Sequence, residues 1–157
     1  MIRLEPMDAA AYERWQSTSI PEFAQEKIEA GTWLESEALE RSAQSYHALL
    51  PVGLDTPGQV IRSIVNEHDE RVGYAWWAPR DQPIGRVAFI YDIAVYPEHR
   101  RRGYAQATLA EIEAWAREEG LVGVQLHVHG PNVGARQLYQ RAGFVETDVT
   151  MLKRVDG

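Results

Sequence analysis

The sequence contains no cysteine. That excludes disulfides, zinc–thiolate centres and any mechanism in which the chain's own thiol carries an acyl group. No apolar run approaches the roughly 20 residues that a bilayer-spanning helix needs. Residues 1–6 lack the apolar stretch of a signal peptide, so a cytoplasmic protein with no membrane partner is expected. Basic residues are the minority, 16 Lys and Arg against 23 Asp and Glu, for a formal charge of −7. Such a surface repels nucleic acid. The one dense basic patch, Arg100-Arg101-Arg102, is too small to track a nucleic-acid groove. No repeat, low-complexity segment or linker-like stretch divides the 157 residues, so a single domain over 1–157 is expected. No glycine-rich loop ends in Lys-Ser or Lys-Thr, which argues against a nucleotide-hydrolysing loop.

What is present is a 45% hydrophobic chain with clear periodicities. Residues 2–4 read as a short strand. Asp8 can cap a helix over 9–17, Pro21 suits the first turn of a second helix ending before Gly31, and a third runs over 35–49 to Pro51. Branched residues then predict a hairpin of strands at 59–67 and 71–78, with a loop at 79–83 and a long strand over 84–95. Ala105, Leu109, Ile112 and Ala116 recur at helical spacing, and Gly120 closes that helix. A strand at 122–129, a helix begun by Asn132 and ended by Gly143, and two last strands at 144–147 and 149–154 complete the order. The expected architecture is α/β (α+β mixed), with helices on both faces of a mixed sheet and a right-handed parallel crossover between residues 84 and 129.

The stretch Glu98-His99-Arg100-Arg101-Arg102-Gly103-Tyr104-Ala105 lies between the long strand and the following helix. The first N–H groups of a helix lack intrahelical partners and carry the positive end of its dipole. A glycine allows close approach, and arginines add charge-assisted hydrogen bonds. The pattern suits a pyrophosphate, although a basic cluster alone is also an ordinary solvated turn.

Asp92-Ile93-Ala94-Val95-Tyr96-Pro97 followed by Arg100-Arg101-Arg102-Gly103-Tyr104-Ala105 resembles the GNAT superfamily of acyl-CoA-dependent N-acetyltransferases. A second stretch, Asn132, Ala135, Leu138-Tyr139 and Gly143-Phe144, matches that family's other motif. Phe23-Ala24-Gln25-Glu26-Lys27 and Ala30-Gly31-Thr32-Trp33-Leu34 look like a poorly characterised bacterial branch of it. The resemblance implies a mostly antiparallel central sheet with one parallel, splayed strand pair. It also implies acetyl-CoA as co-substrate, no metal, and direct transfer to a primary amine on a small molecule or peptide. Main-chain groups of Ile93, Ala94 and Val95 would bind the pantetheine arm and the acetyl carbonyl. Arg100, Arg101, Arg102, Gly103, Tyr104 and Ala105 would hold the pyrophosphate. Asn132 and Tyr139 would contact CoA, and Tyr139 would protonate the departing thiolate. Asp92 would be the general base or a structural carboxylate. A homodimer through the last strands or an exposed edge is allowed. An acyl-CoA-binding sensor without catalysis, or a transferase of longer acyl groups, stands as the alternative.

Other residues carry two readings. Tyr91 is expected on the same face as Ile93, lining the acceptor pocket. Trp76 and Trp77 should put one ring on each face of the sheet. His127 and His129 share a strand face, but no third metal ligand is evident, and one of them could relay a proton. Glu22, Glu26 and Glu29 read as a solvated helix face that could draw in a cationic amine.

Overall fold

A computed structural model describes all residues 1–157. Strand β1 (Ile2–Pro6) leads to helices α1 (Ala9–Glu29) and α2 (Glu35–Leu49). Strands β2 (Val60–Asn66), β3 (Arg71–Gln82) and β4 (Gly85–Val95) follow. Helix α3 (Tyr104–Glu118), strand β5 (Gly123–Leu126) and helix α4 (Val133–Arg141) complete the chain. The sheet runs in the order β1-β2-β3-β4-β5. All neighbours are antiparallel except β4 and β5, which are parallel. The mixed sheet with one parallel pair is as the sequence predicts.

Each face carries its own core. Met7, Ala11, Trp15, Tyr46, Leu50, Tyr74 and Trp76 pack together under α1 and α2. Ala75, Trp77, Ala88, Ile90, Leu109, Ile112 and Ala116 pack under α3, with Leu138 and Tyr139 of α4 against them. Trp76 and Trp77 do face opposite ways, and both are buried. Asp8 caps α1, accepting from Ala11 N at 2.8 Å.

Four expectations are corrected. The two helices divided at Pro21 are one helix, α1, with the proline inside it. A mid-helix proline costs about 3 kcal/mol. The helix continues through it packed against α2, where the buried Ser42 hydroxyl donates to the Ile20 carbonyl at 2.7 Å beside the proline. Residues 79–82 are strand, not loop. β3 pairs with β2 only as far as Trp77, so Pro79 sits where β3 has a partner on one side, a position that tolerates proline. β5 ends at Leu126, leaving His127 and His129 beyond the sheet. Residues 142–157 form no strand. Val145, Met151, Leu152 and Val155 are exposed there, so alternation finds no core face to cover.

Two irregularities in β4 position the site. Trp76 pairs with Asp92, but Trp77 pairs with Ile90, so Tyr91 is an extra residue in β4, a β-bulge. At the same point β5 leaves: its last pair with β4 is Ile90 with Leu126. Beyond it, β4 continues to Val95 with β3 alone.

Candidate active site

The turn before α3 is built to donate. Arg101 has φ 64° and Gly103 φ 79°. Left-handed residues at alternate positions fold successive N–H groups toward one concavity. Gly103 caps α3 with no side chain, and the first turn of that helix holds no carboxylate to compete for the amides. The backbone N–H groups of Arg101, Arg102, Gly103, Tyr104, Ala105 and Gln106 make no hydrogen bond within the protein; the first amide of the run to find a partner is Ala107, at 3.0 Å from Gly103 O. A Cβ built on Gly103 would meet no protein atom within 4 Å. All three arginines are exposed. Arg101 and Arg102 are free to reach an anion, whereas Arg100 turns back, its Nε donating to the Val95 carbonyl at 3.0 Å. Tyr104 contributes its amide to the turn while its side chain is buried against Ile64 and Val72.

The edge of β4 leads into this turn. Tyr96 N donates to Val72 O at 2.8 Å. Hydrogen-bonded and open pairs alternate along an antiparallel ladder. Val95, paired with Gly73, therefore directs its N–H and C=O away from β3, toward the side that β5 has vacated. Gly73 permits this register, since a Cβ there would lie 2.1 Å from Ala94 O.

On the α1 side of the same edge lies a cleft of about 230 Å³, lined by Glu22, Phe23, Glu26, Tyr46, Tyr91, Asp92, His127 and His129 among others. Tyr91 stacks on Trp76 with ring centroids 4.5 Å apart. It therefore faces α1, while Ile93 packs on the α3 side. The expectation that they share a face fails because the bulge inserts one residue and breaks the two-residue period. Asp92 accepts from Trp15 Nε1 at 2.9 Å. Burial raises its carboxyl above the usual range, and that hydrogen bond opposes the shift. Tyr139 of α4 faces the same charges: burial first, then Asp92 and Glu26, push its phenol up to about 12. Asn132 caps α4, its side chain accepting from Ala135 N at 3.2 Å.

The sequence profile of the Acetyltransferase (GNAT) family matches residues 12–144, spanning the cleft, the amide turn and α4. The chain belongs to this family. Two relatives from Bacillus subtilis (strain 168) match over nearly their whole length. The uncharacterized N-acetyltransferase YycN is 37% identical over 154 residues, 98% of this chain and 99% of its own. The uncharacterized N-acetyltransferase YdgE is 35% identical over 152 residues, 97% of each. The crystal structure of YycN superposes with a TM-score of 0.90, covering 99% of both chains. A predicted acetyltransferase from Clostridium acetobutylicum, solved with acetyl-CoA, shares the fold, with a TM-score of 0.61 at 18% identity over 98% of this chain and 96% of its own. The GNAT fold is thus this protein's fold, and its splayed parallel pair is β4 and β5.

Within this GNAT framework the structure gathers Asp92, Tyr91 and the two histidines around one cleft, with Phe23 and Tyr46 of the N-terminal helices. In sequence, Glu26 reads with Glu22 and Glu29 as a solvated helix face that could draw in a cationic amine. Its side chain lines the cleft, Oε2 lies 3.1 Å from His129 Nε2, and burial, with the charges of Asp92, Glu22 and Glu29, raises its carboxyl to about 7. The one available signal was the spacing of Glu22, Glu26 and Glu29 along a single helix face, with Phe23 beside it. Gly73 was missed altogether, because a glycine within a strand carries no mark of what lies opposite.

Proposed function

We propose that this protein transfers an acetyl group from acetyl-CoA directly to a primary amine, both substrates being bound together in one domain over residues 1–157. One observation carries the reading: a run of amides from Arg101 to Gln106 without partners, at a helix N-terminus, beside a strand edge whose neighbour has departed. Free N–H groups at a helix start fit a pyrophosphate, and an unpaired strand edge fits the amide-bearing arm of a pantetheine.

Acetyl-CoA supplies the activated acyl group as a thioester. Amides of residues 101–105, with Arg101 and Arg102, hold its diphosphate. Arg100 steadies the strand end through the Val95 carbonyl. Ile93, Ala94 and Val95 line the pantetheine arm, and the Val95 N–H stabilises the oxyanion that forms when the amine attacks. One preorganised donor of this kind is worth about 3 kcal/mol of transition-state stabilisation. Tyr139, protonated at neutral pH because its phenol is pushed up to about 12, gives its proton to the leaving thiolate. Asn132 begins the helix that carries Tyr139. Asp92, fixed by Trp15, places its carboxyl group on the acceptor side.

The test is thiol release from acetyl-CoA across a panel of primary amines: spermidine, 2-phenylethylamine, glycinamide and a short peptide with a free N-terminus. Amine-dependent release is expected. Tight acetyl-CoA binding by calorimetry with no release for any amine would assign a sensor instead. Faster release from propionyl- or succinyl-CoA would assign a longer acyl donor.

A further inference from the structure

An amine acceptor arrives as an ammonium and must lose a proton before its nitrogen can attack. Asp92 stands on the sheet side of the cleft, one of its two oxygens held by Trp15 Nε1 at 2.9 Å. A second carboxylate faces it across the cavity. Glu26 sits on α1, late in the helix, half-exposed where it meets the cleft. His129, which follows β5, brings its Nε2 to 3.1 Å from Glu26 Oε2, and its own side chain is only 11% exposed. Glu26 and His129 also line a second cleft of about 210 Å³, together with Glu29, Pro131 and Asn132. The pair therefore borders both clefts.

Resting on the transferase reading above, we infer that Glu26 is the group that takes the acceptor ammonium's proton, with His129 as the residue that positions its carboxylate. The ammonium N–H bond breaks and the proton goes to Glu26, leaving a neutral amine. The nitrogen forms the C–N bond to the acetyl carbon, the C–S bond breaks, and the thiolate takes a proton from Tyr139. The second proton lost by the nitrogen restores Tyr139, and Glu26 releases the first to solvent.

The electrostatic surroundings agree with this geometry. Asp92 on β4 and Glu22 and Glu29 on α1 raise the Glu26 carboxyl, Lys27 lowers it, and burial is the largest cause, for a value of about 7. His127 and His129 are lowered by burial and by Lys27, so both are uncharged at neutral pH. Tyr46, which lines the cleft, and Tyr139, packed on the α3 side, stay protonated. A carboxylate near 7 is poised to accept a proton and lose it again.

The test uses whichever amine of the panel above the wild-type enzyme turns over, with kcat/KM followed from pH 5.5 to 9 (roughly the span around a group near 7). Wild type should show an ascending limb near pH 7. Glu26→Gln should lose the limb and fall about 10²- to 10³-fold in kcat/KM, with acetyl-CoA affinity by calorimetry unchanged. Glu26→Asp should recover part of the rate. His129→Asn should shift the limb rather than abolish it. Glu26→Gln retaining both the rate and the limb would overturn the assignment while leaving the transferase standing. If wild type acetylates no amine, the transferase reading fails first and the proton assignment fails with it.

Discussion

Gly73→Ala is the sharpest perturbation the fold offers, because one methyl group there tests the link between strand register and the proposed acyl-binding edge. An alanine Cβ at this position would lie 2.1 Å from the Ala94 carbonyl oxygen and 3.0 Å from both Ala94 C and Val95 Cα. All three are backbone atoms, so no side-chain rotation relieves the contact. β4 must move away from β3 by about an ångström to reach ordinary van der Waals separation. The movement falls on the pairs Gly73 with Val95 and Tyr74 with Ala94, and on the Tyr96 N to Val72 O bond of 2.8 Å. Overpacking costs about 1–3 kcal/mol, and each weakened ladder bond adds about 1 kcal/mol. The total is roughly 2–4 kcal/mol, which for a chain of this size lowers Tm by about 5–15 °C.

The functional consequence is separable from the loss of stability. Because Val95 offers its N–H on the side opposite Gly73, displacement of β4 moves the open strand edge proposed to bind the acyl arm. At a temperature where the variant remains fully folded by circular dichroism, acetyl-CoA affinity by calorimetry should fall at least tenfold. A Gly73→Ala protein with wild-type Tm and wild-type affinity would refute both the close approach and the role given to the strand edge.

Gly103→Leu should weaken acetyl-CoA binding by more than tenfold in calorimetry, since the side chain enters the space left open above the amide turn; the left-handed φ of 79° adds about 1–2 kcal/mol of destabilisation in urea titration. Tyr139→Phe should lower kcat about 10²-fold with acetyl-CoA affinity intact; full activity would mean that water protonates the thiolate. Glu26→Gln should also change stability with pH. A carboxyl raised from 4.5 to about 7 on folding supports the fold fully below pH 4.5 and loses that support as pH rises through 7. The variant should therefore match wild type in urea unfolding at pH 4.5 and exceed it at pH 8; equal stability at pH 8 would remove the raised carboxyl.

Much of the architecture was legible because the periodicities that specify it are local. The helical spacing of Leu109, Ile112 and Ala116 matches the residues buried under the sheet. The Arg100–Ala105 segment was readable because a glycine and a basic cluster between a strand and a helix have few other uses. Features set by tertiary partners were not readable. Pro21 reads as a helix start until Ser42 is seen bonding the Ile20 carbonyl beside it. Phe144 packs on the α3-side core, but the alternation that follows it to residue 154 describes a strand that no core face receives. Glu26 carries the same local signal as Glu22 and Glu29, and only the packing of α1 across β4 raises its carboxyl to about 7.

The bulge at Tyr91 explains why one strand can serve both halves of the site. Trp77 and Ile90 belong to the α3-side core, while Trp76, Tyr91 and Asp92 all lie toward α1. Strict alternation would send either Tyr91 or Asp92 through the sheet into the packed apolar layer under α3, where a carboxylate has no partner. With one residue inserted, two consecutive side chains face the cleft, and the sequence resumes its alternation in time to place Ile93 back in the α3 core. The same insertion coincides with the last β4–β5 pair, so the strand bends where its neighbour departs. The carboxyl group in the cleft and the open backbone edge of β4 thus arise from one local irregularity, and a change that removed it would damage both together rather than either alone.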